Sequence, residues 1–187
     1  LRILGQYPGL LVLLGVIALL GTCGWPFLSL LPALAHSLAP GDHALYGWLV
    51  SASGAGALSC ALLVTQADTG ARRRRLTVAG VLGIPVALLA LSAAKTTGAA
   101  LLAAAVAGGS IVMFFSTSQS IIQLRVADSE QGRVMATLMA TLGGSILVGN
   151  LILGPAADHF GLPVALRGVA GLAALGALII VTWRPQQ

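Results

Sequence analysis

Six long apolar stretches alternate with short polar ones along the chain. About 20 apolar residues are needed to cross a bilayer as a helix. By that ruler segment one runs from Pro8 to Leu31, segment two from Leu45 to Thr65 and segment three from Leu76 to Ala94. Segment four runs from Gly98 to Leu124, segment five from Val134 to Ala157 and segment six from Pro163 to Thr182. The runs are continuous and rich in Leu, Ala, Val and Gly, whereas the strands of a membrane barrel would show short alternating runs. A backbone in lipid must satisfy its own hydrogen bonds, which leaves helices. The pattern predicts an all-α fold, a polytopic membrane bundle of six transmembrane helices. Its connections are too short to hold a soluble domain.

Composition narrows the function. Of 187 residues, 57% are hydrophobic and 8% charged, and the mean hydropathy is +0.97. A soluble domain carries about 25% charged residues, so too little polar surface is present to cover a globule. This excludes a soluble enzyme, a disordered tail and a nucleic-acid module. The expected partners are the lipid bilayer and a small-molecule substrate, not nucleic acid. The net charge of +5 reads instead as topology. Arg2, Arg72 to Arg75, Arg125, Arg133 and Arg184 fall on one side of the alternation, and Lys95 and Arg167 on the other. Basic residues mark the cytoplasmic side, which places both termini in the cytoplasm. The chain starts at Leu1 rather than Met, so a processed N-terminus or a piece of a longer chain is expected.

A weak repeat runs through the chain. Ala67-Asp68-Thr69-Gly70 follows segment two, and Ala157-Asp158-His159-Phe160-Gly161 follows segment five. Gly54 and Gly144 hold matching places in those two segments. The expected organisation is one unit over 1–187, built from repeat one (8–94) and repeat two (98–182). Three spans is an odd number, so the second repeat is inverted in the membrane. That arrangement is a transporter signature.

Three clusters could carry function. The first is Asp68 with Arg72, Arg73, Arg74 and Arg75, beside the small residues Gly54, Ala55, Gly56 and Ala57. Small residues let membrane helices approach closely, so Gly54, Gly56 and Gly144 are candidate packing positions. The Arg run either keeps the loop inside or pairs with the acid across a moving interface. The second cluster is the fourth connection, where Arg125 and Arg133 can pair with Asp128 and Glu130. Those acids, with Ser129, suit the start of a helix. The third is a polar stripe on segment four. Ser116, Gln119, Ser120 and Gln123 are spaced i, i+3, i+4, i+7 and share one face. Together with Asn150 on segment five, they either hydrogen-bond a neighbouring helix or line a watery cavity.

No Asp, Glu, Lys or Arg lies deep in a span, so no obvious proton carrier is present. His36, His43 and His159 fall in outside connections, and Cys23 and Cys60 read as small packing residues. No metal or cofactor is expected. Ser51-Ala52-Ser53-Gly54 could suggest an intramembrane serine protease, but that chemistry needs a His base within reach and no His lies in a span. The chain is expected not to be an enzyme.

Several stretches carry a resemblance: Tyr46-Gly47-Trp48-Leu49, Ser53 to Leu58, the Arg run, Gln123 to Asp128 with Gly132 to Ala136, and Gly154 to Gly161. From Arg2 to segment six the chain resembles the C-terminal half of a major facilitator superfamily transporter. The branch it resembles is the bacterial exporters that include the enterobactin exporter and related drug-efflux proteins. The resemblance implies a multi-pass protein of the bacterial inner membrane. It implies a twelve-helix architecture of two six-helix halves, with export of a small amphipathic molecule by alternating access. The partner is then an N-terminal six-helix half or a second copy of the chain; the alternative expectation is a non-transporting fragment or accessory half that needs a partner half. Asp68, Arg72, Arg73, Arg125, Asp128, Glu130 and Arg133 would act in cytoplasmic gating. The family's gate loop reads Asp-Arg-x-Gly-Arg-Arg. Here it reads Asp68-Thr69-Gly70-Ala71-Arg72-Arg73, which leaves open which arginine faces the acid.

Overall fold

The computed structural model describes residues 8–67 and 69–182. Those residues form helices and short connections, with no strand among them. The helices are α1 (Pro8–Gly24), α2 (Phe27–Leu38), α3 (Ala44–Thr65), α4 (Gly70–Ala93), α5 (Thr97–Arg125), α6 (Asp128–Phe160) and α7 (Leu162–Thr182). Helices α1 and α2 together make the first of six spans long and apolar enough to cross a membrane. Six spans match the apolar pattern.

The ends differ from the hydropathy reading, because helices run on past the apolar residues. Helix α2 continues to Leu38 and takes in His36, which is helical rather than part of a connection. Helix α4 starts at Gly70, so the whole Arg run is helical. The Thr69 side chain caps it by accepting from the Arg72 backbone N–H at 3.3 Å. Helix α6 starts at Asp128. A single residue, Gly161, joins α6 to α7 at φ +83°, in the left-handed region that glycine enters without strain.

Helix α5 stands between α3 and α4. Helix α4 also packs on α7, and α7 and α6 both pack on α1. Exchanging segments one, two and three with four, five and six turns the α3–α5 contact into α6–α1. The same exchange turns α4–α5 into α7–α1 and leaves α4–α7 in place. The α6–α7 contact, enforced by the one-residue turn, stands outside that correspondence. Phe27, Leu31, Leu49, Ile84, Leu88 and Phe114 are among the fully buried side chains of one continuous core.

The α3–α5 crossing is a backbone contact. A Cβ on Gly56 would run into the Ala105 carbonyl, and one on Gly108 into the Ser53 carbonyl and hydroxyl. A Cβ on Gly109 would stand 2.8 Å from the Cys60 sulfur. Apolar side chains gain little by leaving lipid for each other, so close approach is what holds such helices together. Gly54 and Gly144 do not take part. Nothing stands within 4 Å of where their Cβ would be, and both lie on exposed faces. Two residues turn a helix about 200°, so the crossing that uses Gly56 leaves Gly54 on the far side.

Gly56→Leu and Gly108→Val are expected to destabilise the detergent-solubilised protein by about 1–3 kcal/mol or more, as overpacking does. Gly54→Ala and Gly144→Ala are expected to stay within about 0.5 kcal/mol of the wild type. Thermal unfolding of the four variants checks this. A large loss at Gly54 with none at Gly56 would reverse the assignment.

Candidate functional site

Span one breaks in its middle at Gly24-Trp25-Pro26. Pro26 has no N–H to donate, and a proline ring clashes with the preceding turn. The chain restarts through tight turns. The Leu28 N–H reaches the Trp25 carbonyl at 3.2 Å, and the Ser29 N–H reaches the Pro26 carbonyl at 3.0 Å. The Ser29 hydroxyl also donates to the Pro26 carbonyl at 2.6 Å. This break faces the middle of α5. The half-buried Trp25 meets Phe115 edge to face, with ring centroids 5.1 Å apart and planes at 82°. Phe115 in turn meets Phe114 at 5.4 Å.

The polar stripe continues from this aromatic pair. Phe115 and Gln119 are one turn apart on α5 and share a face. Ser116, Gln119 and Ser120 are half-buried, and Gln123 is exposed. Among the described residues, none of their side chains makes a hydrogen bond, and neither does that of Asn150, which lies on the exposed face of α6. The neighbouring Thr117 behaves differently. It is fully buried and donates back to the Met113 carbonyl at 2.7 Å. Ser118, also fully buried, has a hydroxyl with no partner. Among the described residues, the stripe therefore makes no side-chain hydrogen bond to another helix.

Trp25 and Phe115 are not among the residues the polar pattern singles out. The signal lay in Trp25-Pro26 inside an otherwise apolar run. A broken span near mid-membrane is a recurrent place for transporter sites.

At the end that carries the Arg run, the arginines separate. Arg73 is half-buried and donates from Nη2 to the Ala67 carbonyl at 3.4 Å. Arg72, Arg74 and Arg75 are exposed. Asp68 lies outside the described residues, as does the side chain of Arg125. At the α5–α6 connection, the Gln131 amide donates to the Gln123 carbonyl at 3.2 Å and to the Asp128 carboxylate at 3.0 Å. Arg133 is exposed and Glu130 half-buried, and Arg133 makes no ion pair with either acid among the described residues. Gln131 thus ties the start of α6 to the end of α5, while Arg133 stands apart from both acids. An exposed ion pair is worth only about 0–1 kcal/mol.

The opposite end holds a cavity of about 300 Å³, lined by Pro32, Ala35, His36, Ala39, Gly41, Asp42, His43 and Tyr46. Asp42 caps α3 by accepting from the Ala44 N–H at 3.0 Å. Although His36, Asp42 and His43 line this cavity, no group of three His, Cys, Asp or Glu among the described residues is placed to hold a metal ion. Ser53 is buried at the crossing with α5, its hydroxyl against Gly108.

Spans two and five are the least covered. In the most apolar windows of α3 and α6, 11% and 22% of the residues are buried, against 44–56% in the other spans. Their outer faces include Ser51, Gly54, Ala55 and Ser59 on α3, and Gly143, Gly144 and Asn150 on α6, among larger side chains such as Trp48, Leu62, Leu147 and Leu151. The outer faces of α4 and α7 show aliphatic residues such as Leu82, Val86, Leu89, Leu172 and Leu175.

No curated protein and no solved structure matches the chain. A family model described as transmembrane secretion effector matches residues 10–186, nearly the whole length. With six membrane-length helices, a broken first span and a polar face without partners in its own bundle, the chain belongs to this transmembrane secretion effector family of the major facilitator superfamily, a class of membrane transporters.

Proposed function

We propose that this bundle forms one wall of an export pathway for small amphipathic molecules of the drug or siderophore class, working by alternating access. The observation that carries the reading is the unpaired polar stripe of α5. Three half-buried polar side chains without partners in their own bundle call for a ligand, water or a second bundle. The edge-to-face pair of Trp25 and Phe115 beside the stripe supplies the apolar half of an amphipathic site. We place the protein in the bacterial inner membrane, with both termini in the cytoplasm.

The second wall is a further six-helix unit, either an N-terminal half or a second copy of this chain. The low coverage of α3 and α6, and the small and polar residues on their outer faces, favour those two spans as the seam. The matching neighbour pairs favour an origin in two inverted three-helix repeats. In this reading Asp68 and the inward-turned Arg73 close the gate at the cytoplasmic end. Arg72, Arg125, Asp128, Glu130 and Arg133 frame it. The competing reading is an accessory half that moves nothing by itself, which predicts no flux from liposomes holding this chain alone.

Two outcomes test the pathway. Gln119→Ala is expected to weaken substrate binding about fivefold, the worth of one neutral hydrogen bond. Export of fluorescent amphipathic dyes from cells or proteoliposomes measures it, and unchanged apparent affinity for every exported dye would remove the stripe from the pathway. Asp68→Asn is expected to lower export about tenfold, in line with the loss of a charge-assisted hydrogen bond, with membrane insertion unchanged. Equal export at equal expression would sink the gate.

A further inference from the structure

We propose that Arg72 and Arg75 form a binding site for the headgroup of an anionic phospholipid whose acyl chain lies along the outer face of α4. The gate reading uses Asp68 and Arg73, with Arg72 at its frame; Arg74 and Arg75 have no part in it. The position of the outer arginines carries the argument. Residues 72, 75, 79, 82, 86 and 89 follow one another at steps of three and four, so they fall on one helix face. Leu82, Val86 and Leu89 on that face are 46%, 62% and 48% exposed, and Ala79 is exposed too. The face meets lipid, and at its end the aliphatic stripe turns into two exposed guanidiniums.

Depth agrees with this. Helix α4 has 24 residues, from Gly70 to Ala93. Its apolar part, from Leu76 onward, spans about 27 Å at 1.5 Å per residue, close to the roughly 30 Å of a hydrocarbon core. Arg75 therefore stands at the edge of the hydrocarbon, and Arg72 one turn further out, in the phosphate layer.

Among the described residues, neither Arg72 nor Arg75 makes an ion pair or a side-chain hydrogen bond. The first turn of α4 has no acidic residue, and the positive end of the helix dipole adds to the charge. Arg73 forms an internal contrast. It lies on the inward side with the buried Thr77 and Gly80 and is held by the Ala67 carbonyl. A topology signal needs only charge near the membrane. It does not need two arginines in register with a lipid-facing stripe. A guanidinium pair suits a phosphate diester well, since its N–H groups are fixed and planar, and basic residues near a membrane surface draw anionic lipids.

The test uses the purified chain in phosphatidylcholine bilayers doped with spin-labelled phosphatidylglycerol or spin-labelled phosphatidylcholine. The expected result is clear enrichment of motionally restricted phosphatidylglycerol over phosphatidylcholine, weakened by high salt. Each arginine removed should lower the enrichment about fivefold, so Arg75→Gln loses part and Arg72→Gln with Arg75→Gln nearly all. Lysine at both positions should keep most of it. Arg73→Gln should leave it unchanged. Equal association of the two lipids with the wild type overturns the proposal without any variant. A glutamine double variant that unfolds at the wild-type temperature yet keeps the full enrichment also overturns it. Millimolar inorganic phosphate should not displace the lipid. Displacement would mean a site for free phosphate instead and would also overturn the proposal. The readout is independent of transport, so a failed export assay leaves it standing.

Discussion

In a bilayer, two apolar helices gain nothing by burying Leu against Leu, because the lipid they leave is as apolar as the partner they meet. Adhesion must come from contact distance and from polar groups that find each other. In this protein the first route dominates. Helix α5 sits against α3 along Gly56, Gly108 and Gly109 closely enough that backbone touches backbone. The same helix meets α4 where a Cβ on Gly80 would stand 2.7 Å from the Phe114 nitrogen. With α5 held on two sides through Gly108 and Gly109 of its own and Gly80 of α4, its half-buried polar side chains are left for the remaining directions. Phe115, Ser116, Gln119 and Ser120 lie there. The geometry of the candidate site follows from where the glycines are.

The second polar route is used sparingly. Side-chain hydroxyls in the spans mostly bond back to their own helix, as Thr22 does to the Ala18 carbonyl and Ser145 to the Thr141 carbonyl. Such bonds satisfy a hydroxyl without committing it to a neighbour. Against that background the bare stripe of α5 and the exposed Asn150 stand apart. A fold that satisfies Thr117 internally and leaves Gln119 open has its polarity directed outward from the bundle.

Much of this architecture was legible in the sequence. Six apolar runs of membrane length gave six spans, because length and hydropathy suffice where the solvent is lipid. Faces were harder. These helices are apolar nearly all round, so no amphipathic stripe says which side is buried. Gly54 and Gly56 look equivalent in the chain, and only the crossing with α5 separates them. Hydropathy alone stops the spans at Leu76 and Val134, but the acids of Asp128-Ser129-Glu130 suit a helix start, and α6 does begin there. Arg73 could not be told from its three neighbours until the helix phase placed it inward. The break in span one had a visible cause in Pro26, but its meaning depends on Phe115, ninety residues away.

The one-residue turn at Gly161 has a mechanical consequence. Two long helices joined by a single residue are held together at that end, so a displacement of one end there displaces the other. Helix α7 presents Leu172 and Leu175 to lipid, while α6 is among the least covered spans of the bundle. Any bilayer change that tilted α7 would have to carry the joined end of α6, the arm with the open face, along with it. The membrane is then a load on the protein as well as its solvent.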